Sequence, residues 1–285
     1  MTRLGIAKRL IPSILAIGLA AAIAAHHPAA AAPPADKVLL APHRAVYDLK
    51  LAKSTGSRAL QAVRGRILYD FSGNACEGYE LQFRQVSELD SGEGSATMSD
   101  LRSTTWEDAA ATKFRFNSQN MLNEKGDKKA DVVNGQAERN ASTVAVALTK
   151  PKDKKLTIPV GAVFPTEHMR RIIIAAREAK TILDFPVFDG SETGEKLYNT
   201  LTVIGKAIAP GQKAPSDAAG KTPALAKLAR WPVTISYFDQ LAQKDERGGE
   251  QTPVYAITFE LYENGVSRAL TLEYSDFSIT GELSS

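Results

Sequence analysis

One segment of this 285-residue sequence, residues 161–190, differs from the rest, because it contains a strong helix signal in a chain that otherwise reads as strands. The helix is predicted to start at Thr166, and residues 181–188 return to a strand pattern. Thr166 is the predicted N-cap, and Glu167 follows in the first turn, where a carboxylate favours the helix dipole. Four apolar side chains then recur at the i, i+3, i+4, i+7 spacing of one helix face: Met169, Ile172, Ile173 and Ala176. We therefore expect one amphipathic helix whose apolar face is buried.

Most of the remaining chain alternates apolar and polar residues with the period of two that is typical of half-buried strands. Tyr79, Leu81 and Phe83, for example, alternate with polar neighbours, and the pair at residues 264–265, Asn-Gly, is a strong hairpin signal. Roughly a dozen such strands predict an all-β, mainly antiparallel fold, either a barrel or a two-sheet sandwich. Because a single helix can cover the apolar face of a strongly curved sheet, we expect a many-stranded unclosed barrel around one central helix.

The first 32 residues have the features of a secretory signal peptide. Arg3, Lys8 and Arg9 precede an apolar run, and A-x-A sequences that suit cleavage occur at several places between residues 20 and 32. The alternative is a retained anchor, although the run is short for the roughly 20 residues of a membrane-spanning helix. We expect an exported protein without a transmembrane span after cleavage, and a single domain over residues 36–285.

The net charge of the chain belongs to this leader. Its three basic residues account for the whole excess of 35 Lys and Arg over 32 Asp and Glu. Nucleic-acid binding requires a basic stripe on the folded domain, so we expect no nucleic-acid partner. Within that domain, residues 209–223 are rich in Pro, Gly and Ala, which predicts a mobile loop.

No motif in the sequence indicates an active site or a metal site. His43, His168 and the single cysteine, Cys76, show no metal-ligand spacing. Cys76 with either histidine is a candidate thiol pair, but its place in a turn between strands favours a tether or an idle thiol. The carboxylates that a glycosidase would need are present without a specific pattern: Asp100, Glu107, Asp108 and Asp189. We therefore expect no catalytic residue, no metal and no cofactor.

A binding function is easier to support from the residues. A curved, incompletely closed sheet with an apolar inner face can hold an acyl chain or a hydrophobic peptide. The residues expected to line such a cavity are Met169, Ile172, Ile173, Phe185 and Phe188. The alternative is that these side chains simply form the core.

Five short segments together resemble the EipB-like cell-envelope integrity proteins of alphaproteobacteria. These segments are LAPHRAVY at residues 40–47, CEGY at 76–79, FPTEH at 164–168, FDG at 188–190 and YENGV at 262–266. The resemblance extends over essentially the whole chain after the leader, and it rests on the order and spacing of these segments.

This resemblance implies an exported periplasmic protein that folds as a β-spiral around a helix, similar in outline to the lipoprotein carriers of the Lol system. It implies a role in envelope integrity and stress resistance through a periplasmic partner, such as a tetratricopeptide-repeat protein, and no known enzymatic activity. Two alternatives remain open: a carrier of lipid or lipoprotein acyl chains, and an envelope hydrolase.

The sequence departs from the family pattern at one point. Members of the family typically form a disulfide between the cysteine of the C-x-G-Y turn and a cysteine near the C-terminus. Cys76 matches the first cysteine, and the sequence contains no second one. A native disulfide typically contributes about 2–4 kcal/mol, so the resemblance implies either a shortened C-terminus or a last strand that is held in another way.

Overall fold

The structure is a computed structural model that describes residues 38–55, 60–92, 96–124, 127–240 and 252–285. The predicted leader lies outside the described residues. Within them, 14 strands form one antiparallel sheet. The strands are β1 His43–Ser54, β2 Ala62–Asn74, β3 Gly78–Asp90, β4 Ala96–Glu107, β5 Lys113–Glu124, β6 Asp127–Arg139, β7 Thr143–Lys150, β8 Lys154–Pro159, β9 Ile182–Val187, β10 Tyr198–Ile204, β11 Arg230–Asp239, β12 Tyr255–Tyr262, β13 Ser267–Glu273 and β14 Phe277–Leu283.

The sheet consists of two meanders, which are joined where the first strand of the domain pairs with the last. Strands β1 to β8 pair consecutively, β9 to β14 do the same, and β14 pairs with β1. The two edge strands are therefore β8 and β9, which flank the helix α1, Pro165–Arg177, in the sequence. The sheet is not closed between them, which confirms the prediction of an all-β, unclosed barrel with one long helix.

The start of α1 corrects the sequence prediction. The helix begins at Pro165, and Phe164 occupies the N-cap position without a side-chain cap hydrogen bond. Proline suits this first helical position because its missing N–H would lack a partner in the helix there. Thr166 is thus inside the helix, and the prediction that it is the N-cap is wrong.

The predicted apolar face of α1 packs against the inner face of the sheet. Ile172 and Ile173 are fully buried and belong to a core with residues of β1, β2, β3 and β10 to β14. A second core joins β5 to β8 with Phe164 and Phe188, the residues that precede α1 and follow β9. The Phe114 ring on β5 lies 5.1 Å from the Phe164 ring and 6.3 Å from the Phe188 ring, centre to centre. The chain around α1 therefore supplies apolar groups to both cores.

The segment at residues 209–223, predicted to be a mobile loop, is anchored at its C-terminal part. It contains a short 3-10 helix, Ala218–Lys221, and α2, Pro223–Ala226, follows it. The Asp217 carboxylate is 3% exposed and accepts a hydrogen bond from Arg268 at 2.8 Å, and Ala219 is buried in the first core. The composition does not indicate this anchoring, because the charged partner lies 51 residues away.

Candidate functional site

Two adjoining cavities lie between α1 and the inner face of the sheet. Each has a volume of about 210 Å³, and both are bounded by Tyr69, Met169, Ile235 and Tyr237. The first also reaches Ile172 and the start of α1, whereas the second extends along the inner faces of β12 and β13. Unfilled space therefore remains on the apolar side of the helix.

A third, larger cavity of about 730 Å³ follows the inner face of β3 to β6. It shares Leu81, Thr105, Pro165 and Asp189 with the first cavity. Its wall combines apolar side chains with serine, threonine, asparagine and acidic side chains. These three spaces, here called the inner cavities, form a series along the concave side of the sheet.

Some of the predicted lining residues border the cavities, and others are buried in the two cores. Met169 bounds both small cavities and Ile172 bounds one of them. Ile173 and Phe188 are fully buried in the first and second core, respectively. The Phe185 ring packs edge-on against His168, with ring centres 6.0 Å apart, under the guanidinium of Arg171.

A buried carboxylate holds the N-terminus of α1 at the end of the first cavity. Glu107, at the end of β4, accepts hydrogen bonds from the backbone N–H groups of Thr166 and Glu167, both at 2.8 Å. The Arg170 guanidinium lies 3.8 Å from the same carboxylate. Burial raises the pKa of Glu107 to about 7, although the two amide hydrogen bonds and Arg170 favour the ionised form. The carboxylate thus replaces the local N-cap that the sequence predicts.

His168 follows Glu167 on α1 and is buried. Its Nε2 atom has no hydrogen-bond partner among the described residues. Burial, assisted by Arg171, lowers the pKa of the imidazole to about 4, so the ring is neutral at neutral pH. Burial also raises the pKa of the Asp189 carboxyl, which accepts a hydrogen bond from the Ser191 N–H at 2.9 Å.

The tyrosines of the cavity wall are uncharged as well. Burial raises the pKa of Tyr69 and of Tyr237, and it raises that of Tyr47 to about 12. The Tyr47 hydroxyl donates to the Ser267 carbonyl oxygen at 2.8 Å. A neutral, mostly apolar wall favours an apolar ligand, because a buried charge without a partner would be costly.

The candidate thiol pair is not assembled. Cys76 is exposed in the turn between β2 and β3, where the Asn74 side chain accepts a hydrogen bond from its N–H at 2.8 Å. His43 stacks on Tyr69 with ring centres 5.4 Å apart, and its Nδ1 lies 2.8 Å from the Ala41 carbonyl oxygen. His168 is on α1, and no hydrogen bond among the described residues joins either histidine to Cys76.

The acidic residues considered for hydrolysis are engaged separately. Asp100 forms exposed ion pairs with Arg84 and Arg102, and Asp108 accepts hydrogen bonds from the N–H groups of Thr112 and Lys113. In the part of the chain that the structure describes, no three His, Cys, Asp or Glu side chains come together as a metal site. Over the same residues, no helix has both the length and the apolar character needed to cross a bilayer.

Comparison with known proteins identifies the family. The sequence model of the EipB-like family matches residues 34–285. The chain is 37% identical over 258 residues to the cell envelope integrity protein EipB of Brucella abortus (strain 2308), which covers 90% of this chain and 86% of that protein. It also matches a crystal structure from Brucella abortus, described as a beta-barrel-like protein of a domain of unknown function, with a TM-score of 0.76 and 34% identity over 87% of this chain and 97% of the other. The chain therefore belongs to the EipB-like family.

Proposed function

We propose that this protein maintains the integrity of the cell envelope as a non-enzymatic periplasmic protein that acts through protein–protein contacts. The observation that carries the proposal is the 37% identity, over 90% of this chain, to a protein named for cell envelope integrity. The predicted secretory leader at residues 1–32 supports a periplasmic location. Cys76 is exposed whereas His168 is buried, and no hydrogen bond among the described residues joins Cys76 to a histidine, which supports a binding role over a thiol-dependent hydrolase.

The edge strand β9 offers a surface for such contacts. Ile182 on β9 is 63% exposed, and it lies directly opposite Val203 on β10, which is 47% exposed. Leu201 on the same face of β10 is 40% exposed. An apolar patch beside a sheet edge is a surface that protein partners use, because the edge can pair with a strand while the patch is covered. The expected partner is a periplasmic protein, such as a tetratricopeptide-repeat protein.

Complementation of a deletion strain tests this function. Loss of the gene should increase sensitivity to detergents and to antibiotics that act on the cell wall, and the intact gene should restore resistance. The double variant Ile182→Asp/Val203→Asp should fail to restore it at normal protein abundance. Leu68→Asp, at an exposed apolar position on β2, is the matched control and should restore resistance. A deletion strain with unchanged sensitivity would contradict the proposal.

A second candidate function, the binding of lipid or lipoprotein acyl chains, is favoured by the inner cavities. The largely apolar walls of the two small cavities suit an alkyl chain, and Met169 borders both of them. Native mass spectrometry of protein purified from the periplasm should then show bound lipid. Met169→Trp should abolish the lipid adduct by filling the space, whereas Met98→Trp, at an exposed position on β4, should retain it. Protein that is free of lipid in every preparation would contradict this candidate.

A further inference from the structure

The outer face of strands β3 to β8 carries a polar groove that the proposed function does not use. Two adjoining hollows of about 640 and 540 Å³ lie on this face and share Gln136 and Ala147. The groove runs from Glu80 on β3 to Lys155 on β8. Because neighbouring strands are about 4.8 Å apart, its length across five strand intervals is roughly 24 Å. This is long enough for several units of an extended polymer.

The strand register explains the shape of this groove. One row of directly paired residues crosses all six strands: Glu80, Trp106, Arg115, Gln136, Ala147 and Lys155. Ala145 lies next to this row on the same face of β7, while Val144 and Val146, which flank Ala145, are buried on the inner face. The small alanine side chains leave the floor of the groove low, and the longer side chains on β4 to β6 form its side.

Amide and hydroxyl groups of a neighbouring row face the same groove. Thr104, Asn117 and Asn134 are paired across β4, β5 and β6. The Thr149 hydroxyl donates to Asn134 Oδ1 at 2.7 Å, which fixes that amide and leaves its NH₂ group for other partners. Within the described ranges, no side-chain hydrogen bond to protein is formed by Thr104, Asn117 or Gln136. The groove therefore offers both hydrogen-bond donors and hydrogen-bond acceptors to a ligand.

A flat stacked surface completes this row. The Arg115 guanidinium lies 4.1 Å from the centre of the Trp106 ring, and Trp106 itself is half-buried. Sugar rings present both C–H faces, which pack on flat aromatic groups, and hydroxyl edges, which require hydrogen bonds. A face of a β-sheet binds oligosaccharides in at least one other fold, the OB-fold.

The charge of the groove argues against other polymers and surfaces. Two acidic residues, Glu80 and Glu138, accompany two basic ones, Arg115 and Lys155, along its walls. Nucleic acids and anionic lipid surfaces require an excess of Lys and Arg. An amphipathic helix requires a hydrophobic groove, and the exposed apolar groups on this floor are two alanines.

We infer that this groove binds a glycan strand of N-acetylated amino sugars. The acetamido methyl group packs on the floor formed by Ala145 and Ala147, and its amide exchanges hydrogen bonds with Asn117 and Gln136. The sugar rings lie along the Trp106–Arg115 stack. The assignment concerns the outer face of the sheet and is independent of any lipid in the inner cavities.

The two tryptophans of the chain allow a direct test. Trp231 is buried in the first core, so Trp231→Phe leaves Trp106 as the only tryptophan, whose fluorescence can be excited selectively over that of the tyrosines. Titration with the tetramer of N-acetylglucosamine should change the Trp106 emission in a saturable way. Calorimetry on the unaltered protein should give the same affinity, which controls for the substitution. Cellotetraose, which lacks the acetamido groups, should bind at least tenfold more weakly.

Variants separate the groove from the rest of the surface. Asn117→Ala/Gln136→Ala should weaken binding of the tetramer at least tenfold, and Ala147→Trp should abolish it by filling the floor. Asn199→Ala, which removes an exposed amide from the outer face of β10, should bind as the unaltered protein does. The inference is overturned if neither measurement shows saturable binding, if the two sugars bind equally, or if Ala147→Trp binds normally.

Discussion

At the scale of single residues, Glu107 and His168 lie near the N-terminus of α1, and their pKa values are shifted in opposite directions. The Glu107 carboxylate accepts the two amide hydrogen bonds at the helix start, and the imidazole of His168 is buried one residue further on. The charged groups around them are Arg170, Arg171 and Glu167. Burial moves the pKa of the carboxyl up and that of the imidazole down, because it disfavours the charged form of each group.

These shifts predict opposite effects on stability. For Glu107 the pKa is 4.5 when unfolded and about 7 when folded, so the folded state holds an extra proton between these values and the free energy of unfolding falls as the pH rises. For His168 the pKa is 6.5 when unfolded and about 4 when folded, so the unfolded state holds the extra proton and the free energy of unfolding rises with pH. In the intact protein the two effects largely cancel between pH 4.5 and 6.5.

Urea denaturation of two variants over this pH range measures each effect. In the Glu107→Gln variant, His168 is the only one of the two groups that still titrates. The free energy of unfolding of this variant should therefore increase by about 3 kcal/mol relative to that of the intact protein as the pH rises from 4.5 to 7. In the His168→Gln variant, Glu107 is the group that still titrates, so the free energy of unfolding should change relative to the intact protein by a similar amount in the opposite direction. Parallel pH profiles for the three proteins would contradict this assignment.

The Cys76 thiol forms no disulfide and no hydrogen bond among the described residues, so its replacement should have little effect on stability. Cys76→Ser should change the free energy of unfolding by no more than about 0.5 kcal/mol. Asn74→Ala should cost about 1 kcal/mol, because its side-chain oxygen accepts hydrogen bonds from the N–H groups of Cys76 and Glu77. Equal destabilisation by the two variants in thermal unfolding would show that the thiol has a structural role.

At the scale of elements, the apolar face of α1 supplies a large part of the first core. Ile173 is fully buried there, so Ile173→Ala should lower the free energy of unfolding by about 2–5 kcal/mol through lost contacts and a residual cavity. Ile182→Ala, at an exposed position of β9, is the matched control and should change it by less than about 0.5 kcal/mol. Chemical denaturation measures both, and equal effects would contradict burial of the helix.

The anchored part of residues 209–223 gives a second prediction at this scale. Asp217 connects this segment to Arg268, whose guanidinium also contacts Glu260 on β12. Trypsin should therefore cut slowly after Lys221 in the folded protein, and Asp217→Ala should accelerate that cut by removing the anchor. Fast cleavage of the unaltered protein at this site would support the mobile loop that the composition predicts.

Local patterns were sufficient to predict most of these elements. Alternation predicts strands where β1 to β5 and β9 to β12 are found, weaker strands where β6 to β8 are found, and a single strand over residues 266–279, where the structure has β13 and β14. The spacing of Ile172, Ile173 and Ala176 correctly predicts the buried face of α1. The N-cap was predicted wrongly because the group that caps the helix, Glu107, is 59 residues from Thr166. A propensity for capping by Thr166 cannot reveal a competitor that the fold brings in from another strand.

At the scale of the whole molecule, the contacts that define the architecture are remote in sequence. The pair Lys50 and Thr280 joins β1 to β14, which makes one sheet of the two meanders. The stacking of Phe114 on Phe164 ties β5 to the segment before α1. Neither pairing has a local signature, because any alternating strand can pair with any other. The single long helix and the family resemblance, rather than the alternation of residues, predicted one curved, unclosed sheet instead of a sandwich.

The pairing of β14 with β1 holds the last strand without the disulfide that the family resemblance implies. Strand β14 is paired on both sides, with β1 and with β13. The terminal Ser285 carbonyl oxygen accepts a hydrogen bond from the Val46 N–H at 2.8 Å, and Leu283 is buried. Backbone pairing and side-chain burial therefore act on this strand directly.

The most direct test of the account is whether α1 lies inside the sheet, and thiol labelling measures this. In a Cys76→Ser background, single cysteines are introduced at Ile172, which is fully buried, and at Lys180, whose side chain is 61% exposed. If α1 lies inside the sheet, the thiol at 180 should react at once, whereas the thiol at 172 should react only after denaturant unfolds the protein. Equally fast labelling of both positions in the folded protein would contradict it.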